Sequence, residues 1–204
     1  MITCVQCFCE GGVSGRALQK LVDQKFPSFA CESEKCSPYS AEPISDAEEL
    51  AFILIDPLHY DEVTKKVVPE AFRELTNNDL SVLRVGLARK SEANKIRNAL
   101  IDRGTAEKPR RSDEACIGSA HAIRQCSDEF GRLFGLYDTA LQDIPAHASV
   151  FTRGNMLETK LTRGRAVFEI HKILSANRLS FGDLLTRLQP DENVTDQESV
   201  QKEI

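Results

Sequence analysis

Cysteines cluster near the N-terminus of this 204-residue chain. Five of the seven fall within the first 36 residues, as Cys4, Cys7, Cys9, Cys31 and Cys36. Two cysteine pairs that flank a loop commonly hold a tetrahedral Zn²⁺ ion, because four thiolates complete its coordination. The spacing therefore predicts a structural zinc site on Cys4, Cys7, Cys31 and Cys36, with Cys9 as the alternate ligand.

The same cysteines have two other interpretations. The second pair is separated by four residues instead of two, and an amphipathic segment lies between the pairs. Free cysteine is among the most frequently buried residue types, so these side chains could instead pack as small apolar groups. An iron–sulfur cluster is a further alternative.

A second candidate site centres on histidine. His59 lies between Asp56 and Asp61, just after Pro57, where an exposed turn is predicted. Two acids beside a histidine could bind a divalent metal or tune the imidazole as a general base, although acids at such positions also simply form turns. His147 directly precedes a predicted short strand and is a candidate acid or base. The candidate catalytic residues are therefore His59, Asp61 and His147.

Basic side chains are concentrated in the middle of the chain. Residues 84–111 carry nine basic and three acidic side chains, whereas residues 1–62 carry four basic and eleven acidic ones. The run could form a surface for an anionic partner, including nucleic acid, or two solvated faces that neutralise each other. No aromatic residue lies between positions 73 and 129, so no base-stacking platform accompanies the charge. The candidate anion- or nucleic-acid-binding residues are Arg84, Arg89, Lys90, Lys95, Arg97, Arg110 and Arg111.

Composition and periodicity predict one α+β domain over residues 1–189. Hydrophobic residues make up 41% of the chain and charged residues 28%, as is usual for globular proteins. Predicted helices span residues 14–26, 45–55, 91–103, 163–175 and 180–188, and predicted strands span 1–9, 80–85, 115–123, 132–138 and 148–151. Their irregular alternation favours a small mixed or antiparallel sheet with several amphipathic helices.

The two ends of the chain have distinct compositions. Residues 1–43 form a cysteine-rich N-terminal element, and residues 190–204 are acidic with almost no apolar content, which predicts a disordered tail. The longest apolar run, residues 50–55, is far shorter than the roughly 20 residues of a bilayer span. The first residues also lack the basic and apolar regions of a secretory signal. We therefore expect a cytoplasmic protein with reduced thiols and no membrane association.

These features favour a non-catalytic interaction or regulatory subunit of a larger intracellular assembly, stabilised by zinc, with a protein partner or a second copy of the chain. The alternative is a metal- or histidine-dependent hydrolase that acts on a phosphate-containing substrate. In it, His59 and Asp61 would bind metal or act as base, His147 would be the acid or base, and Arg84 would contact the anion. A second alternative is a nucleic-acid-binding module that uses the basic segment 84–111.

Overall fold

A six-stranded antiparallel sheet forms the centre of the computed structural model, which describes residues 2–10 and 12–191. The strands are β1 (Glu49–Ile53), β2 (Leu80–Arg84), β3 (Glu114–Ser119), β4 (Ser127–Asp128), β5 (Gly131–Arg132), β6 (Phe134–Tyr137), β7 (His147–Thr152) and β8 (Arg178–Ser180). The sheet order is β6-β7-β2-β1-β3-β8, and β4 and β5 form a separate hairpin. The predicted α+β class with an antiparallel sheet is confirmed.

Five α-helices surround the sheet over the described part of the chain. They are α1 (Gly15–Lys25), α2 (Lys90–Ile101), α3 (Ala120–Gln125), α4 (Lys160–Ser175) and α5 (Phe181–Arg187). Shorter helical turns span Gln6–Glu10, Pro27–Ser33, Pro69–Thr76 and Gly154–Leu157. Among the described helices, none has the length and apolar character needed to cross a bilayer.

The two faces of the sheet are covered differently. On one face, α4 and the turn Pro69–Thr76 pack over the largest apolar cluster. On the other face, α2 and α5 cover one end, where Ala51 and Ile117 lie. The cysteine-rich N-terminal element covers the other end, where Phe8 packs against Tyr137 and Phe151 with ring centroids 5.1 and 5.3 Å away. Two separate covers therefore share this second face.

The strand predicted for residues 1–9 is wrong, because residues 4–10 are helical. Cys4, Cys7 and Phe8 lie at helical spacing, which directs all three side chains toward one face. Cys4 and Cys7 are buried and belong, with Phe8, to the cluster that covers the sheet. The apolar positions thus follow the helical period rather than the strand period.

The helix predicted for residues 45–55 is also wrong, since residues 49–53 form β1. The local capping interaction does form, with the Ser45 N–H donating to Glu48 Oε1 at 2.7 Å. The residues that follow are drawn into the sheet, where Leu50 and Ala51 are buried on opposite faces. Tertiary packing therefore overrides a correct local signal.

The other helix and strand predictions are close to the structure. The predicted strand 115–123 ends at Ser119, whose hydroxyl accepts the Ala122 N–H and caps α3. Ser180 caps α5 as predicted, accepting the Asp183 N–H at 3.0 Å. Of the predicted acidic tail, residues 192–204 lie outside the described residues. Asp191 is described, and it accepts the Ser91 N–H near the start of α2 at 2.9 Å.

Candidate functional site

A groove crosses the sheet between the two covers of its second face. Its floor carries Ser81 of β2 and His147 and Ser149 of β7, with Ser81 directly opposite Ser149 in the strand register. Two adjoining cavities of about 650 and 370 Å³ occupy the groove, and both are bordered by Asp79 and His147. Polar side chains therefore lie where neither apolar cover reaches.

The larger cavity lies where β1 and β2 stop pairing with each other. The register between these strands comprises Leu50–Arg84 and Ala51–Leu83. Further along, β1 continues to pair with β3, and β2 continues to pair with β7. Residues 51–53 of β1 and 80–83 of β2 border the cavity. The cavity is thus built into the sheet rather than into a surface loop.

A chain of four hydrogen-bonded side chains borders this groove. Ser149 Oγ donates to Asp79 Oδ2, and Thr139 Oγ1 lies 2.7 Å from Ser149 Oγ. His147 Nδ1 lies 3.0 Å from Thr139 Oγ1 and 3.1 Å from the Thr139 carbonyl oxygen. The chain therefore links a carboxylate to a histidine through two hydroxyl groups.

This chain has a defined direction when Asp79 is ionised. A carboxylate only accepts, so the hydroxyl of Ser149 donates to it. The Thr139 hydroxyl then donates to Ser149 and has no second proton to offer. His147 Nδ1 must therefore carry the ring proton and donate to Thr139, which leaves the lone pair on Nε2. In the neutral form of His147, the network therefore places the ring proton on Nδ1 and leaves Nε2 able to accept a proton.

The segment that carries Thr139 is held on both sides by the N-terminal element. The Ser40 hydroxyl donates to the Asp138 carbonyl oxygen at 2.6 Å. The Ser37 hydroxyl donates to the Ala140 carbonyl oxygen at 2.5 Å. The cysteine-rich element thus positions the histidine network as well as covering the sheet.

His59 also borders the larger cavity, but its ring proton is on the other nitrogen than that of His147. Its Nδ1 accepts the Ile55 backbone N–H at 3.0 Å, and its ring stacks on Phe52 with centroids 5.4 Å apart. Burial, assisted by the charge of Arg110, lowers the pKa of His59 to about 4. The neutral ring has its lone pair occupied by Ile55, so it offers Nε2–H as a donor. This geometry favours a hydrogen-bond donor over a general base, and the predicted role of His59 as a base or metal ligand stays a prediction.

Asp61 is engaged in a local turn next to His59. Its carboxylate accepts the Thr64 N–H at 2.6 Å, the Thr64 hydroxyl at 2.8 Å and the Val63 N–H at 3.2 Å, which closes a turn. The hydrogen bonds from Thr64 and Val63 lower the pKa of Asp61. Of the three predicted catalytic residues, His59 and His147 border the larger cavity, and Asp61 does not line it.

Arg84 belongs to the core. It is fully buried, and it donates to both carboxylate oxygens of Glu48 at 2.7 and 2.9 Å. It also donates to Asp138 Oδ2 at 3.0 Å and to the Glu42 carbonyl oxygen at 2.8 Å. Its guanidinium is therefore occupied by the protein's own acceptors rather than offered to an external anion. Ser81, three residues earlier on β2, lines the larger cavity.

The rest of the predicted anion-binding set is dispersed. Three members are neutralised by carboxylates, in the pairs Lys95–Asp143, Arg97–Asp113 and Arg111–Asp56. Arg89 and Lys90 lie at the start of α2. Arg110 lines the larger cavity, together with Arg103, which the sequence analysis did not single out. This dispersal supports a nucleic-acid-binding module less than a continuous basic face would.

The N-terminal cysteines are arranged differently from the reduced thiols expected. Cys4 and Cys31 form a disulfide, Cys7 and Cys36 are buried thiols, and Cys9 is exposed. Burial raises the pKa of both Cys7 and Cys36. Within residues 2–10 and 12–191, no three His, Cys, Asp or Glu side chains converge as a metal site. The structural zinc on Cys4, Cys7, Cys31 and Cys36 stays a prediction.

Comparison with known proteins leaves the site to be judged on its own geometry. No family model, no curated protein and no solved structure matches this chain. The residues that sequence reasoning missed are Asp79, Thr139 and Arg103. One signal for the network was present, because His147 directly precedes the predicted strand 148–151 and lies two residues before Ser149, so an extended chain puts both side chains on one face.

Acid is expected to destabilise the protein through His59. Its pKa is about 4 in the folded protein against an ordinary 6.5, so the unfolded chain binds the proton first as pH falls. The free energy of unfolding should therefore decrease from about pH 6.5 down to about pH 4. At about pH 5 the loss is roughly 2 kcal/mol relative to about pH 7.5. Urea unfolding at both pH values measures it.

Two glutamine variants separate this effect from the titration of carboxylates. His59→Gln should lack the roughly 2 kcal/mol difference between the two pH values. His121→Gln changes an exposed histidine and should keep the wild-type dependence. Equal losses in the wild type and in His59→Gln would contradict the assignment.

Proposed function

We propose that this protein is a histidine-dependent hydrolase that acts on a phosphate-containing small molecule, with His147 as general base. One observation carries the proposal: His147, with its lone pair fixed at Nε2, borders both cavities of a groove that also holds Arg103 and Arg110. A base at a site needs this combination of a defined tautomer and room for a substrate.

The chemistry assigned to His147 is proton transfer at Nε2. A water molecule beside Nε2 loses a proton to the ring while its oxygen attacks the electrophilic carbon or phosphorus of the substrate. The imidazolium then returns that proton to the departing oxygen or nitrogen, which regenerates the neutral ring. One water is consumed for each bond cleaved. Thr139, which accepts from Nδ1, stabilises the imidazolium as it forms.

The phosphate is inferred from the two arginines. Among the described residues, Arg103 and Arg110 form no ion pair with a carboxylate, unlike Arg97 and Arg111. Arginine matches the oxygens of a phosphate with paired N–H donors. An anionic group on the substrate is the natural counterpart of these two charges.

Turnover by the purified protein tests the proposal. The panel should contain phosphorylated carboxylic esters, phosphorylated amides, phosphomonoesters and phosphodiesters. We expect at least one to be hydrolysed, and we expect His147→Asn to lower kcat by about 10²–10⁴-fold. Asparagine keeps a donor for Thr139 but has no lone pair in the Nε2 position.

His121→Asn is the matched control. His121 is exposed on α3 and lines neither cavity, so its replacement should leave kcat unchanged. The proposal is wrong if no panel member is hydrolysed, or if His147→Asn retains wild-type turnover.

A non-catalytic role in an assembly is the second candidate function. Leu161 and Phe168, two turns apart on α4, are 84% and 51% exposed. Exposed apolar side chains on one helix face suit a protein partner or a second copy of the chain. Absence of turnover, together with self-association that Leu161→Ser abolishes, would favour this role. The cytoplasmic location and the structural zinc also remain predictions.

A further inference from the structure

We infer that His59, Arg103 and Arg110 form an anion-binding subsite. It binds a phosphate group of the ligand at a distance from His147, so this phosphate anchors the ligand and is not itself cleaved. The subsite itself stands on the geometry of the larger cavity, which all three residues border. Only the separation of the phosphate from the reacting bond rests on the function proposed above.

His59 supplies a donor that is oriented before the ligand arrives. Its Nδ1 accepts from the Ile55 N–H, so the hydrogen of the neutral ring must be on Nε2. The ring plane is held by stacking on Phe52. No partner for Nε2 is found among the described residues. A preoriented donor loses little conformational entropy when it binds.

A tight turn brings the two arginines together. Thr105 and Lys108 exchange backbone hydrogen bonds of 3.1 and 3.2 Å, which folds the chain back on itself. A Cβ at Gly104 would lie 2.9 Å from the Arg110 backbone nitrogen and 3.3 Å from its Cγ. The backbone after Arg103 therefore packs directly against Arg110, and glycine is needed for that approach.

Within the part of the chain that the structure describes, neither Arg103 nor Arg110 forms an ion pair with an acid. The residue after Arg110 shows the contrast, since Arg111 pairs with Asp56 at 3.4 Å. The acids that border the cavity, Glu74 and Asp79, lie on the β2 side of the opening, whereas His59 and Arg110 lie on the β1 side. Glu74 also accepts a hydrogen bond from Asn78 at 2.8 Å. One side of the cavity thus presents two positive charges and a neutral donor, which suits a phosphate.

The subsite is separate from the base. His147 is on β7, whereas Arg110 precedes β3, three positions along in the sheet order. At roughly 4.8 Å per strand, the β7 and β3 backbones are about 14 Å apart. In the strand register His147 is level with Ile117, and Arg110 lies seven residues before Ile117, so the two residues are also separated along the strand direction. A base must reach its proton directly or through one water, so a phosphate held at Arg110 is not the group that His147 acts on. The substrate class is a phosphorylated molecule whose hydrolysable bond lies several bonds from the phosphate.

Binding of inorganic phosphate, measured by isothermal titration calorimetry, tests the subsite without reference to activity. We expect wild-type protein to bind it, and Arg110→Gln and Arg103→Gln each to weaken binding by about tenfold or more. Arg111→Gln, the neighbouring control, should bind like the wild type. Circular dichroism confirms that each variant is folded.

Two further variants sharpen the result. His59→Gln keeps an N–H donor and should retain more binding than His59→Leu. His147→Asn should bind phosphate like the wild type, because the base is outside the subsite. Absence of phosphate binding by the wild type, or equal binding by Arg110→Gln and Arg111→Gln, overturns the inference.

The two proposals fail in different ways. Phosphate binding that depends on Arg110, without turnover of any panel member, supports the subsite and removes the hydrolase. Turnover that depends on His147, with phosphate binding indifferent to Arg110, supports the hydrolase and removes the subsite. Cleavage of the phosphate group that Arg110 binds would overturn the assignment of that phosphate as an anchoring group.

Discussion

Replacing Arg84 with methionine is expected to lower the free energy of unfolding by about 3–5 kcal/mol. The side chain is fully buried and its guanidinium bonds to the carboxylates of Glu48 and Asp138. Methionine fills similar space but leaves both acids without their cation. Burial already raises the pKa of Asp138, and the Arg84 charge works against that rise. Urea or guanidinium unfolding at neutral pH measures the loss.

Two further substitutions show whether the loss comes from the buried geometry. Arg84→Lys keeps the charge but not the paired N–H donors, so its loss should be intermediate. Lys95→Met removes an ion pair with Asp143 in which both side chains are more than half exposed, and should change stability by roughly 0.5 kcal/mol or less. A loss below about 1 kcal/mol for Arg84→Met would rule out this account.

Arg84 also shows why the sequence reveals the number of basic residues in segment 84–111 but not the partners of their side chains. The sequence reveals nine basic residues between positions 84 and 111. It does not reveal that Arg84 meets Glu48, 36 residues away, and Asp138, 54 residues away. Ion pairs of this kind depend on which strands are neighbours in the sheet, and that order is a property of the whole fold.

Capping residues and apolar spacing predicted the helices correctly where short-range interactions determine the structure. The caps and apolar spacing of α2, α4 and α5 are short-range, and these helices form close to where they are predicted. Residues 45–55 show the limit, because the Ser45–Glu48 interaction forms and yet the chain enters β1. Burial of Leu50 and Ala51 on two sheet faces outweighs the weak helical preference.

The candidate site could be predicted in its residue types but not in their roles. His59 and His147 were both identified, and both border the larger cavity. Which nitrogen carries the proton depends on the Ile55 N–H in one case and on Thr139 in the other. Neither contact follows from spacing, so the sequence could not tell a donor from a base.

The largest expected effect on the proposed activity, apart from removal of His147 itself, is that of Asp79→Asn. The carboxylate sets the direction of the hydrogen bonds that the hydroxyl groups of Ser149 and Thr139 make with each other and with His147. The asparagine amide can either accept from Ser149 or donate to it, and when it donates, Ser149 can donate to Thr139 and Thr139 to His147 Nδ1. The ring proton is then favoured on Nδ1 by the Thr139 carbonyl oxygen alone, 3.1 Å away, so rings with the proton on Nε2, which cannot act as base, become populated. We expect kcat to fall by roughly tenfold to a hundredfold, a part of the general-base contribution.

Nitrogen-15 NMR of the histidine rings distinguishes this reversal from a loss of structure. In the wild type, the His147 proton should reside on Nδ1, and in Asp79→Asn it should shift toward Nε2 with the fold intact. Asp79→Glu keeps a carboxylate and should restore the wild-type tautomer and part of the activity. Asp23→Asn, on α1 outside both cavities, is the control for a changed surface charge. A His147 tautomer that is the same in the wild type and in Asp79→Asn would show that Asp79 does not direct the network, because a carboxylate only accepts from Ser149 whereas an amide can also donate to it.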